Sequence, residues 1–96
     1  MEINYHPLVK RDMAEALRYY DAIATRLADE FAAEVKVMIE KTGEHPLRHH
    51  LAGRRFQRAN CPRFPYNVLY EIHGESLRIV HVRHNKRHPD YGMERK

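Results

Sequence analysis

The hydrophobic period of this chain changes once, and that change restricts its fold more than any other feature. Between residues 9 and 43 apolar side chains recur every three or four positions, and from Gly53 onward they alternate. The first pattern marks helices that bury one stripe, the second marks strands. A single switch between them describes an α+β domain, not an alternating α/β one.

Ahead of the switch, Ile3 and Tyr5 share a face in Glu2–Tyr5, which predicts a short strand. Pro7 follows where the first turn of a helix tolerates proline. Val9, Met13, Leu17, Tyr20 and Ile23, with Ala16 and Ala24, form one stripe, and Lys10, Arg11, Asp12, Glu15 and Asp21 lie on the other side. Leu27, Phe31, Val35, Met38 and Ile39 form a second stripe that stops near Gly43 and Pro46. So few residues separate the two that an antiparallel helical hairpin is expected. After the switch, Arg54-Arg55-Phe56-Gln57-Arg58 reads as a short strand, and Pro62 and Pro65 bracket a turn. A strand through Tyr66, Val68, Tyr70 and Ile72 then meets a hairpin turn at His73-Gly74-Glu75-Ser76. The last strand, Leu77 to Arg83, is apolar on both faces and belongs in the centre.

The predicted order is β-α-α-β-β-β over one domain, residues 1–96. The N-terminal strand and helical hairpin pack on one face of a small, mostly antiparallel sheet. No element is left to cover the other face. Tyr66 and Tyr70 fall on the apolar alternation and are expected in the core.

A core of this size leaves no room for a large closed pocket, so function belongs on a surface. Charge says where. Residues 1–48 hold seven basic and nine acidic side chains, whereas residues 49–96 hold ten basic and four acidic, together with six of the eight histidines. A net +6 in the second half is the footprint of a polyanion-binding face or of a solvated basic surface. The single cysteine, Cys61, permits neither an intramolecular disulfide nor a cysteine zinc site, fits a reducing compartment and has no thiol-activating neighbours in sequence. No apolar run approaches a membrane span, and the first residues do not begin a signal peptide. A cytoplasmic protein with no membrane partner is expected.

With these elements placed, the chain resembles the RelE/ParE superfamily of toxins from type II toxin–antitoxin systems. The resemblance rests on Tyr5-His6-Pro7, Tyr19-Tyr20, Leu27-Ala28, Phe31 and Gly53-Arg54-Arg55. It continues through Arg63-Phe64-Pro65-Tyr66-Asn67-Val68-Leu69-Tyr70 and His84-Asn85-Lys86-Arg87-His88-Pro89-Asp90-Tyr91, with a trailing Arg95. It implies a small toxin held inactive by a cognate antitoxin protein, with operator DNA read only through that antitoxin. RelE-like members cleave mRNA in the ribosomal A site. ParE-like members bind and poison DNA gyrase and need no catalytic residues.

Metal-free RNA cleavage at a 2′-hydroxyl needs a base, an acid and cations around the phosphorane. His84 is the candidate acid or base, and Arg87 and Arg83 the candidates to stabilise the phosphorane. Tyr91 stands where a C-terminal tyrosine stacks or orients the phosphate in RelE-like nucleases. Arg54, Arg58, Arg63 and Lys86 are candidates to hold neighbouring phosphates. The alternative for His84 is to pin the C-terminal segment to the sheet. RelE-type nucleases carry arginine where this chain has Asn67, and further basic residues where it has His84 and Asn85. His81-x-x-His84-x-x-x-His88 suggests a metal, but residues 81 and 84 fall on opposite faces of a strand, so no metal or other cofactor is expected. Messenger cleavage on the ribosome is the favoured function, and a gyrase poison acting by protein contact the alternative. A degenerate relative that binds only its antitoxin or operator DNA is the third reading.

Overall fold

The computed structural model describes residues 2–46, 50–52, 55–87 and 91–95. Strand β1 (Glu2–Tyr5) leads into α1 (Val9–Ile23) and α2 (Thr25–Glu44), followed by β2 (His50–Ala52), β3 (Phe56–Asn60), β4 (Tyr66–His73) and β5 (Ser76–His84). The five strands form one sheet in the order β1-β5-β4-β3-β2, with β1 parallel to β5 and the other pairs antiparallel. The expected α+β architecture is present. The paired stretch His50–Ala52 adds a strand that the sequence pattern did not show. Three residues are too short to show a period.

His6 starts α1: its Nδ1 accepts the Leu8 N–H at 3.0 Å and its carbonyl accepts the Val9 N–H at 3.0 Å, satisfying donors that a helix start leaves over. Ala24 alone separates the helices, in extended conformation, with its N–H donated to the Tyr20 carbonyl at 2.9 Å. The hairpin lays Tyr20, Phe31, Val35, Met38 and Ile39 against Val68, Tyr70, Leu77, Ile79 and Val82 of the sheet. Tyr20, Phe31, Phe64 and Tyr66 pack as an aromatic group, with Tyr20–Phe64 and Phe31–Tyr66 centroids 5.0 and 4.9 Å apart. Tyr70 is fully buried, as its alternation predicts, and Tyr66 half so. Ile23, assigned to the buried stripe, is 60% exposed, because it closes the last turn of α1 where the sheet no longer lies beneath it.

The sheet's second face is covered after all. Phe56, Leu69 and Val80 form a smaller core there, and Met93 of the C-terminal segment packs against it. A bulge between Leu69 and Tyr70 in the β4–β5 register gives β5 one extra residue, so Val80 faces this core and Val82 the helices.

The position of α1 depends on a strand that ends early. β1 pairs with β5 only as far as Tyr5–Ile79, and His6 donates once more to the Ile79 carbonyl. Beyond that point side chains replace the missing strand. Asp12 Oδ2 accepts the Val82 N–H at 3.1 Å, and Arg95 donates to the Val80 carbonyl at 2.9 Å. Arg95 also grips both oxygens of Asp12, at 2.6 and 3.2 Å, and His81 Nδ1 lies 3.1 Å from the same carboxylate. That last contact is poorly directed and does not satisfy the His81 nitrogen. Asp12 was assigned to the polar side of α1. It is 9% exposed instead, because the edge of β5 supplies its donors.

Burial alone would raise the Asp12 pKa, but contacts from His81, Arg95 and the Val82 N–H outweigh it and hold the carboxyl at about 2, against a usual 3.8. A carboxyl depressed in the folded state adds stability that is complete above its unfolded value and is lost as pH falls towards its folded one. Asp12 therefore contributes about 2 kcal/mol, lost between about pH 4 and pH 2. Urea denaturation across that range should show a steeper acid loss in the wild type than in Asp12→Asn, which at neutral pH is less stable by about 3 kcal/mol. Parallel acid profiles would refute this role for Asp12.

Candidate functional site

The surface centred on His84 is built where β5 runs out and the chain turns back across the sheet. Residues 84–87 form a tight turn, with the Asn85 N–H on the Pro65 carbonyl at 2.8 Å and the Arg87 N–H on the His84 carbonyl at 3.1 Å. The His84 ring stands edge-on to Tyr66, with centroids 5.1 Å apart, and its Nδ1 accepts the Lys86 N–H at 3.0 Å. A neutral ring that accepts at Nδ1 carries its proton at Nε2. The Arg87 guanidinium lies 4.8 Å from the centre of the Tyr91 ring, and both side chains are exposed. His84, Arg87, Tyr91 and Tyr66 line a small cavity of about 60 Å³, with Glu15 at its rim and Arg83 and the Asp12–His81 pair in its walls.

Three of the predicted catalytic residues thus meet on the surface, and Lys86 is exposed on the same turn. Arg83 belongs to the wall. It is 4% exposed, and its guanidinium is shared between Asn67 Oδ1 at 2.9 Å and the Tyr91 carbonyl at 2.8 Å. Asn67, at 1% exposure, also donates to the Arg83 carbonyl at 3.4 Å and to Asn85 Oδ1 at 2.8 Å. Burial, and then the like charge of Arg58, lower the Arg83 pKa. Asn67 thus fills a fully bonded position that fastens β4, β5 and the C-terminal segment together.

The predicted phosphate-binding set does not assemble around His84. Arg58 lies half-buried on β3, with its Nε on Asn60 Oδ1 at 2.9 Å. Arg63 lies against α2, where it donates to Glu30 at 3.1 Å while Glu34 accepts its backbone N–H at 3.1 Å. Arg54 lies outside the described residues. Cys61 is buried, and burial followed by the charge of Glu34 pushes its thiol up to about 12, which leaves no nucleophilic thiolate near neutral pH. Among the described residues no three His, Cys, Asp or Glu side chains gather as a metal site: His81 turns to Asp12, His84 to Tyr66, and His88 falls outside the described residues. No described helix is long and apolar enough to cross a membrane.

Sequence reasoning missed Asp12, His81 and Arg95 as partners, and Asn67 as the residue in β4 that holds Arg83. One signal was available. Asp12 precedes Ala16 and Tyr20 at four-residue steps and so lies on the same stripe of α1.

Known proteins share this fold. Residues 3–89 match the family described as the ParE toxin of the type II toxin–antitoxin system, parDE. A solved chain of the chromosomal ParDE toxin–antitoxin system from P. aeruginosa is similar in fold. Its TM-score is 0.78 at 9% sequence identity, over 88% of this chain and 95% of that one. Among curated proteins none matches the sequence.

Gly92 tests how the site is held. Its φ is +81°, and a Cβ added to it would lie 2.0 Å from the His81 ring. Gly92→Ala should therefore lift residues 91–95 from the sheet and lower stability by about 1–3 kcal/mol. Amide hydrogen exchange should report faster exchange in that segment, and unchanged protection would show that the segment is not seated on His81.

Proposed function

Because the chain belongs to the ParE toxin family of type II toxin–antitoxin systems, we propose that this toxin arrests growth by binding DNA gyrase through the His84–Arg87–Tyr91 surface, without catalysis of its own. A cognate antitoxin neutralises it by covering the same surface. The supporting observation is the state of Arg83. A phosphorane needs convergent cations able to approach it, yet Arg83 is buried and committed to Asn67 and the Tyr91 carbonyl. Arg63 is paired with Glu30 beside α2. What remains outward is an arginine on a tyrosine ring beside a histidine and Lys86, which suits contact with a protein: aromatic and arginine side chains dominate binding energy at such interfaces.

One observation favours the second reading, messenger cleavage on the ribosome. His84 lines the same small cavity as Arg87 and Tyr91, the grouping of an imidazole with a guanidinium that phosphoryl chemistry requires.

Purified toxin tested on gyrase supercoiling, and in a translating extract primed with a defined mRNA, separates the two. Contact predicts blocked supercoiling and trapped gyrase–DNA complexes, with the message intact. His84→Ala should then change potency by less than about threefold, whereas Arg87→Glu weakens it by tenfold or more, about 1.4 kcal/mol at a contact centre. Message cut in the A site, gyrase unaffected, and a loss of about 10²–10⁴-fold in His84→Ala would establish the nuclease instead.

A further inference from the structure

A second charged cluster lies on the sheet face away from the helices, at the opposite end of β4 and β5 from His84. Glu71 lies buried at its centre. Its Oε2 accepts from Arg55 Nε at 3.0 Å, and its Oε1 accepts from Arg78 at 3.3 Å and meets His73 Nε2 at 2.9 Å. Six residues of β5, about 20 Å, separate Arg78 from His84. The cluster is thus remote from the surface assigned to the target.

We propose that this face binds the sugar–phosphate backbone of a nucleic acid, independently of sequence, through Arg55 and Arg78, with Arg58 next along β3. One carboxylate is opposed by two guanidiniums and by a histidine that adds charge when protonated, so the cluster keeps at least one net positive charge. Glu71 stays ionised: burial would raise its pKa, but donors from His73, Arg55 and Arg78 pull it below the usual range. It therefore serves as a fixed anchor. It holds Arg55 by Nε, while the Phe56 ring lies 4.9 Å from the guanidinium carbon. Arg55 is nevertheless 48% exposed at its side chain, and a guanidinium has further donors to offer a phosphate. An arginine already fixed in place loses little conformational entropy on binding.

Arg58, held by Asn60, extends the charge along β3 on the same face. Glu75 at the hairpin tip and Glu2 of β1, opposite Ser76, lie beyond the cluster and bound it on that side. The charge is spread across β3, β4 and β5 on the part of this face that Met93 and the Phe56–Leu69–Val80 core leave exposed. A lone phosphate is best held by converging donors, whereas a row of cations on an open face suits a polyanion. The basic balance of residues 49–96 supplies the long-range attraction. This proposal is independent of the gyrase reading.

The test is fluorescence anisotropy of a labelled 20-base-pair duplex of arbitrary sequence, titrated with the full-length toxin at 50 to 200 mM salt. Three phosphate contacts predict a log–log salt slope of about −2.7, which weakens binding about 40-fold across that range. Arg55→Gln and Arg78→Gln should each weaken binding about tenfold and reduce the slope by about 0.9. Arg26→Gln, the same charge change on exposed α2, should alter affinity less than about twofold. In the wild type, the Nε–H NMR signals of Arg55 and Arg78 should shift on adding duplex while that of Arg26 stays, which needs no variant to fold. No salt-dependent binding, equal losses in all three variants, or unmoved Arg55 and Arg78 signals would each overturn the proposal. Binding of poly-glutamate but not duplex would overturn it too, by assigning the face to an acidic protein segment.

Discussion

A carboxylate buried between a helix and a strand edge, Asp12, is the interaction on which this small fold depends. β1 pairs with only part of β5, and an unpaired strand edge inside a protein carries unsatisfied donors and acceptors. Asp12 accepts from one of those donors, the Val82 N–H, and Arg95 donates to one of those acceptors, the Val80 carbonyl. The pair also ties the first turn of α1 to the last residues of the chain, 83 positions apart. A buried ion pair is weak evidence for stability by itself, since desolvation opposes it. Here the carboxylate also closes a backbone edge and accepts from Arg95 and the Val82 N–H, with the His81 ring beside it, which is why its pKa falls despite its burial.

The surface proposed to meet the target hangs from that latch. Arg95 brings the C-terminal segment over His81, the φ of Gly92 lets it pass close to the ring, and Met93 fills the gap over Phe56, Leu69 and Val80. Arg83 then fixes the Tyr91 carbonyl, and Tyr91 carries Arg87 on its ring. Cations that could serve chemistry are thereby used to place a surface, which is the observation behind the proposed action by contact.

Much of this was legible in the sequence. The two helical stripes and the interior place of β5 follow from period, because burial on one face or two decides which positions are apolar, and the hairpin follows from its glycine. Gly74 takes φ +58° at the first position of its turn, where a side chain would be strained. The rest depended on contacts between residues far apart in sequence. Nothing local reveals that β1 stops short, so nothing local shows why Asp12 is buried. Arg83 reads as a free cation until Asn67 is seen opposite it across the β4–β5 ladder. The cover over the second face was illegible because residues 91–95 have no period, and are held by single contacts at Arg83, His81, Met93 and Arg95.

A double-mutant cycle between Asp12 and Arg95 probes the latch most directly. Unfolding free energies of the wild type, Asp12→Asn, Arg95→Met and the double variant, measured in urea at neutral pH, give the coupling between the two side chains. A latch that closes the edge of β5 predicts a coupling of about 2–3 kcal/mol, with the double variant hardly less stable than either single one. Additive losses, within about 0.5 kcal/mol, would contradict it, because the C-terminal segment would then be held independently of α1.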